Sequence, residues 1–201
     1  HQEARRQRQM CIRDRLELAR TRPFEEVAAL LWTGEFAATS LFASPMPNEL
    51  WLAIDTLQTQ FADFPTIARL QAMLPLLATA DLAAYDVAAV PQTGVRILRL
   101  LISMVTGKRP LASIAASLQK AWCDDQPQAT ALLNMALILC ADHELNVSSF
   151  TGRCVASAGS NPYAVVTAGL SALQGPKHGG HTARAAALLH EVGSPERART
   201  V

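Results

Sequence analysis

The stretch RPFEEVAALLWTGEF, residues 22–36, decides the fold class. Phe24, Val27, Ala28 and Leu31 recur at three- and four-residue spacing, which makes one face of a helix apolar. Glu25 and Glu26 stand in its first turn, where the helix dipole favours carboxylates. Gly34 is a natural stop. The same spacing returns in NELWLAIDTLQTQF (48–61), TGVRILRLLISMVTG (93–107), LASIAASLQKAW (111–122) and QATALLNMALILCADHE (128–144). Prolines at Pro45, Pro47, Pro65, Pro75, Pro91 and Pro110 are expected to break the chain between such segments. Valine and isoleucine are scattered rather than alternating with polar residues, so strand signals are nearly absent. The pattern predicts an all-α globule of many packed helices, without a repeat of solenoid period.

Composition agrees. The chain of 201 residues suffices for one large domain or two small ones, and it is half hydrophobic and only 17% charged, ample material for a core. A net charge of +1 offers no electrostatic case for a nucleic-acid partner. Seven arginines against three carboxylates make residues 1–22 basic, which reads as a solvated end. Cys11, Cys123, Cys140 and Cys154 show no framework spacing and no Cys-x-x-Cys. Cys140 and Cys154, in apolar surroundings, are expected to be buried thiols, and the set points to a reducing cytoplasm. No signal-peptide pattern opens the chain. Its longest apolar run, ALLNMALILCA (131–141), is interrupted by Asn134 and ended by Asp142, so a buried core helix is expected rather than a membrane span.

The last third carries the chemistry. Asp142-His143-Glu144 follows the apolar helix. A helix with Arg153 leads to a turn at Gly159–Pro162, and YAVVTAGLSALQG (163–175), read as buried, delivers the chain to GPKHGGH (175–181). Glycines around His178 would let the backbone turn tightly and approach a ligand. The next helix is expected to start near Gly180–Thr182 and run to Val192, capped by Gly193 and stopped by Pro195. His178 would sit at its positive end, a setting for a neutral imidazole that donates to a carbonyl gaining charge. His143, Asn146, Ser148, His178 and His181 admit three readings. They are satisfied polar groups or helix caps, metal ligands, or a site for a small carboxylate or keto acid with histidines as donors and proton carriers. Zinc accepts these ligand types, but His178 and His181 flank a Gly-Gly turn and no established ligand spacing appears, so no metal is expected.

ADHELNVSS (141–149) followed by GPKHGG (175–180) resembles the paired signature of citrate synthases, whose usual forms read roughly ADHE-x-N-x-S and GP-x-HGG. FEEVAALLWTGEF resembles an early helix of the same family. The resemblance implies a multi-helix large domain and a role for each matching residue. His178 matches the catalytic histidine that hydrogen-bonds the acetyl-CoA carbonyl and stabilises its enol. His143 and Asn146 match oxaloacetate-binding positions. Ser148 matches the serine on the other ring nitrogen of the catalytic histidine. The implied reaction joins acetyl-CoA, or another acyl-CoA, to oxaloacetate in a Claisen-type step followed by thioester hydrolysis. It needs no cofactor beyond the CoA substrate and no metal. Homodimerisation through large-domain helices is implied, without membrane or nucleic acid.

The match has limits. The family's aspartate base and a second histidine lie beyond the GP-x-HGG loop, in or near a small lid domain. Residues 179–201 contain no aspartate and no further Gly-x-x-His stretch. Residues 16–201 are therefore expected to be a large domain truncated at its C-terminus, with the lid largely missing and no activity alone. Where the family reads HGGAN, this chain has His178-Gly179-Gly180-His181-Thr182, an exchange that could alter specificity or mark a divergent branch. MCIRDR (10–15) resembles the translation of a transposon-derived sequencing adapter, so residues 1–15 are expected to be non-native. The alternative function is a non-catalytic carboxylate-sensing or dimerisation module of a citrate synthase-like regulator.

Overall fold

The structure, a computed structural model, describes residues 12–141, 146–194 and 196–197. Among these there is no strand, and ten α-helices follow in order. They are α1 (Ile12–Thr21), α2 (Phe24–Thr33), α3 (Asn48–Gln60), α4 (Thr66–Ala80) and α5 (Val90–Thr106). After these come α6 (Ile114–Trp122), α7 (Ala129–Cys140), α8 (Val147–Ser157), α9 (Pro162–Leu173) and α10 (His181–Val192). The all-α expectation is borne out, and the stops hold too: Gly34 closes α2 at φ 83° and Gly193 closes α10 at φ 68°.

Two apolar cores meet at α5. Leu50, Ile54, Leu74, Leu77 and Tyr163 join Leu100 and Met104 of α5 on one side. Phe24, Val27, Ile114, Leu118 and Ile138 join its Ile102 on the other. Val87–Thr106, and not 131–141, is the stretch long and apolar enough to cross a membrane by length and composition. Here it runs between the two cores, and its Arg96 and Arg99 are tied down by Asp81 and by the Ser44 and Phe42 carbonyls.

Four expectations need correction. Pro75 lies inside α4 and so separates no helices, whereas Pro91 stands in the first turn of α5 and marks where that helix begins. The first turn needs no amide donor there. Around Pro75, burial of Met73, Leu74, Leu77 and Ala78 holds the helix together against its missing hydrogen bond. Cys140 and Cys154 are exposed and Cys123 partly so. α7 buries Ile138 but leaves Leu132 and Leu139 exposed, because its neighbours cover one face of a helix that is apolar all round. In α9 only Tyr163 is fully buried.

Long-range polar contacts set the helix ends. Asn134, the interruption in the apolar run, accepts from the Phe24 amide at 2.8 Å and donates to the Arg22 carbonyl at 2.9 Å, clasping the start of α2. Glu25 is buried, and its carboxylate accepts from the Ile114 amide at 2.7 Å, capping α6 rather than merely facing its own helix dipole.

Candidate functional site

Two asparagine caps build the site. The Asn146 side chain accepts from the Ser149 amide at 2.9 Å and starts α8, which places Ser148 in the first turn. Asn161 accepts from the Ala164 amide at 3.0 Å and, with Pro162 in the first turn, starts α9. α9 packs along α8 and releases the chain at Gly175.

Hydrogen bonds then wind the loop back on itself. The Gly175 carbonyl accepts from the amides of His178 at 2.9 Å and Gly180 at 3.1 Å, and the Thr182 hydroxyl donates to the Gly179 carbonyl at 2.7 Å. The glycines serve closeness rather than positive φ. A Cβ on Gly179 would stand 2.4 Å from the Leu173 carbonyl oxygen, and one on Gly180 would stand 2.9 Å from Pro176 Cα. The backbone they bring near is the chain's own helix end. Pressed there, half-buried His178 places Nε2 2.9 Å from Ser148 Oγ.

Asn146, Ser148 and His178 share the wall of an open groove of about 970 Å³ between α8 and α9. Ser149 and Arg153 add polar groups to it, and Leu139, Val165, Val166, Leu170 and Leu173 give it an apolar side. The Asn146 carbonyl oxygen is engaged by its cap. His181 is the exposed first residue of α10 and does not line the groove. His143 lies outside the described residues. No group of three or more histidine, cysteine, aspartate or glutamate side chains suited to a metal occurs among the described residues.

One buried cluster had no signal in the sequence. Arg96 Nε meets Asp81 Oδ2 at 2.7 Å, the Tyr163 hydroxyl donates to the same oxygen at 2.9 Å, and Arg96 reaches the Thr93 hydroxyl at 2.7 Å. Burial, and then the Asp81 charge, push the Tyr163 hydroxyl well above the usual tyrosine range. The cluster anchors the start of α9, whose far end carries the His178 loop.

An all-helical domain that seats a loop histidine against a helix-borne serine on a groove wall defines the class of site, a hydrogen-bonded histidine–serine pair. The description "Citrate synthase, C-terminal domain" matches residues 13–201, and the chain belongs to the citrate synthase family. Its structure is similar to citrate synthase from Thermotoga maritima, at 22% identity and a TM-score of 0.61 over 91% of this chain and 53% of that one. For the Pyrobaculum aerophilum citrate synthase the values are 22%, 0.65, 90% and 53%. For that of Thermoplasma acidophilum, solved as a ternary complex with carboxymethyl coenzyme A and oxaloacetate, they are 21%, 0.66, 87% and 51%. The chain spans about half the length of these structures, and at such identity the likeness is one of fold.

Proposed function

We propose that the intact protein condenses an acyl-CoA, acetyl-CoA in the simplest case, with oxaloacetate to give citrate and free CoA. The observation that carries this reading is the 2.9 Å contact between Ser148 Oγ and His178 Nε2 on the groove wall. With Nε2 on Ser148, Nδ1 is the nitrogen left for the substrate, and a Ser148 hydroxyl that donates to Nε2 keeps the ring proton on Nδ1. A base removes a proton from the carbon beside the thioester carbonyl, and the electron pair moves onto the carbonyl oxygen. His178 donates a hydrogen bond to that oxygen, a contribution of roughly 3–4 kcal/mol in comparable sites. The enol carbon attacks the keto carbon of oxaloacetate, whose oxygen takes up a proton. Water then cleaves the citryl thioester, releasing citrate and the CoA thiol. His143 and Asn146 are proposed to hold oxaloacetate, Asn146 through its amide nitrogen because its oxygen caps α8.

The aspartate base that the family resemblance implies has no counterpart in residues 179–201, so the 201-residue chain is proposed to be inactive alone. As a transferase of the tricarboxylic acid cycle, the intact protein would work as a cytoplasmic homodimer without cofactor. The test is CoA release by the full-length protein, followed with a thiol reagent. Oxaloacetate-dependent release that falls at least a hundredfold in His178→Ala supports the reading. A full-length protein that binds a carboxylate but releases no CoA would instead be a regulator.

A further inference from the structure

The buried cluster around Asp81 joins three elements at one oxygen. Asp81 directly follows α4, Arg96 and Thr93 belong to α5, and Tyr163 stands in the first turn of α9. Asp81 Oδ2 accepts from Arg96 Nε at 2.7 Å and from the Tyr163 hydroxyl at 2.9 Å, away from water. What these bonds hold is the whole Ser148–His178 pair. Ser148 rides on α8, which packs along α9, and α9 in turn packs on α4 and α5. His178 rides on the far end of α9, because the Gly179 backbone is pressed onto the Leu173 carbonyl. Facing the pair on the same groove stand Leu139 and Cys140 of α7 and Trp32 of α2, which belong to the body of the domain.

We infer that Tyr163 is a positioning residue: its hydroxyl, through Asp81 and Arg96, sets where the helices carrying Ser148 and His178 stand against the end of α7. Its effect on catalysis rests on the acyl-CoA reading above. Val166 and Leu170 also hold α9 to the first core, but apolar contact has no preferred direction. The tie between Gln71 Nε2 and Ser171 Oγ at 3.2 Å is exposed, so water competes for it. The bonds to Asp81 are directional, charge-assisted and dry, and so fix α9 along its own axis. A helix is stiff along that axis, so a slip at Tyr163 reaches Leu173, about 15 Å further on at the helical rise, almost whole. A displacement of about 1 Å at the reacting atoms costs on the order of a hundredfold in rate.

Two native thiols read the placement, since Cys140 ends α7 and Cys154 lies on α8, both exposed. With Cys11→Ser and Cys123→Ser in place, spin labels on the pair give the distance between α7 and α8 by electron paramagnetic resonance. The labelled chain is diluted into unlabelled chain, so that only pairs within one molecule count. Tyr163→Phe keeps the ring and its packing, and its label distance is expected to shift or broaden. Ile114→Val, in the core that α9 does not reach, should loosen the fold and leave that distance alone. An unchanged distance in Tyr163→Phe, or an equal change in Ile114→Val, overturns the inference. In the full-length protein Tyr163→Phe should lower kcat for CoA release at least tenfold, with KM for the acyl-CoA within about twofold of wild type. A kcat no lower than that of Ile114→Val overturns the positioning role even where the distance moves. Should the wild-type full-length protein release no CoA, the acyl-CoA reading falls, while the label distances still decide whether Tyr163 holds the helices in place.

Discussion

Ser148 holds His178 by a single hydroxyl, so Ser148→Ala tests what that contact does. Losing one such bond should cost about 1 kcal/mol of stability. The histidine nitrogen spectrum is then expected to show mixed ring tautomers at His178 where wild type shows one, and unchanged nitrogen shifts would refute a tautomer-setting role. Tyr163→Phe strips a donor from buried Asp81 and should cost about 1–3 kcal/mol in urea unfolding. The sign with pH follows from the raised hydroxyl. The native state keeps its proton where the unfolded state loses it, so this contribution is full below the unfolded tyrosine value near 10 and shrinks as pH rises beyond it. Wild type should therefore lose stability relative to Tyr163→Phe above that pH. Parallel profiles would mean the hydroxyl is not held as described. Neither this cluster nor the roles of Asn134 and Glu25 was legible in the sequence. Phe24 and Asn134 are 110 residues apart, and Ile114 and Glu25 are 89 apart, so no local pattern joins them. Ser148 and His178 were paired only through the two-motif resemblance.

Helices were legible where one face is apolar over several turns, as in α2 and α6. Pro75 misled because a local penalty was weighed without the packing that outweighs it. Pro75 is exposed within α4, so Pro75→Ala restores an amide donor without disturbing the core. Its urea midpoint should rise by an amount worth about 1–3 kcal/mol, whereas a fall would show that the Leu74 and Leu77 packing needs the proline geometry. Gly179→Ala should do the opposite. A methyl 2.4 Å from the Leu173 carbonyl oxygen forces the loop off α9, and a loss of about 1–3 kcal/mol is expected, with the Ser148–His178 contact broken in the NMR spectrum.

At the scale of the molecule, apolar surface remains. α10 is exposed along nearly its whole length, with Leu188 at 53% and Leu189 at 72% exposure. An isolated helix of this length is marginal in water, so the face is expected to seek a partner. Light scattering should find the chain self-associated and Leu188→Glu/Leu189→Glu shifted towards monomer; equal masses would place any self-association elsewhere. The exposure of Cys140 and Cys154 has the same origin. An apolar run shows that a helix can be buried, but coverage depends on how many neighbours reach it.

By itself the sequence determined the helical class, the glycine stops of α2 and α10 and the glycine-flanked histidine, because helical spacing and tight turns are local properties of neighbouring residues. Only the tertiary structure decided which faces are covered, that α5 divides two cores, and that α8 and α9 bound a groove ending at Ser148 and His178. Those features depend on contacts between segments far apart in the chain, where shape and burial, rather than spacing, select the partners.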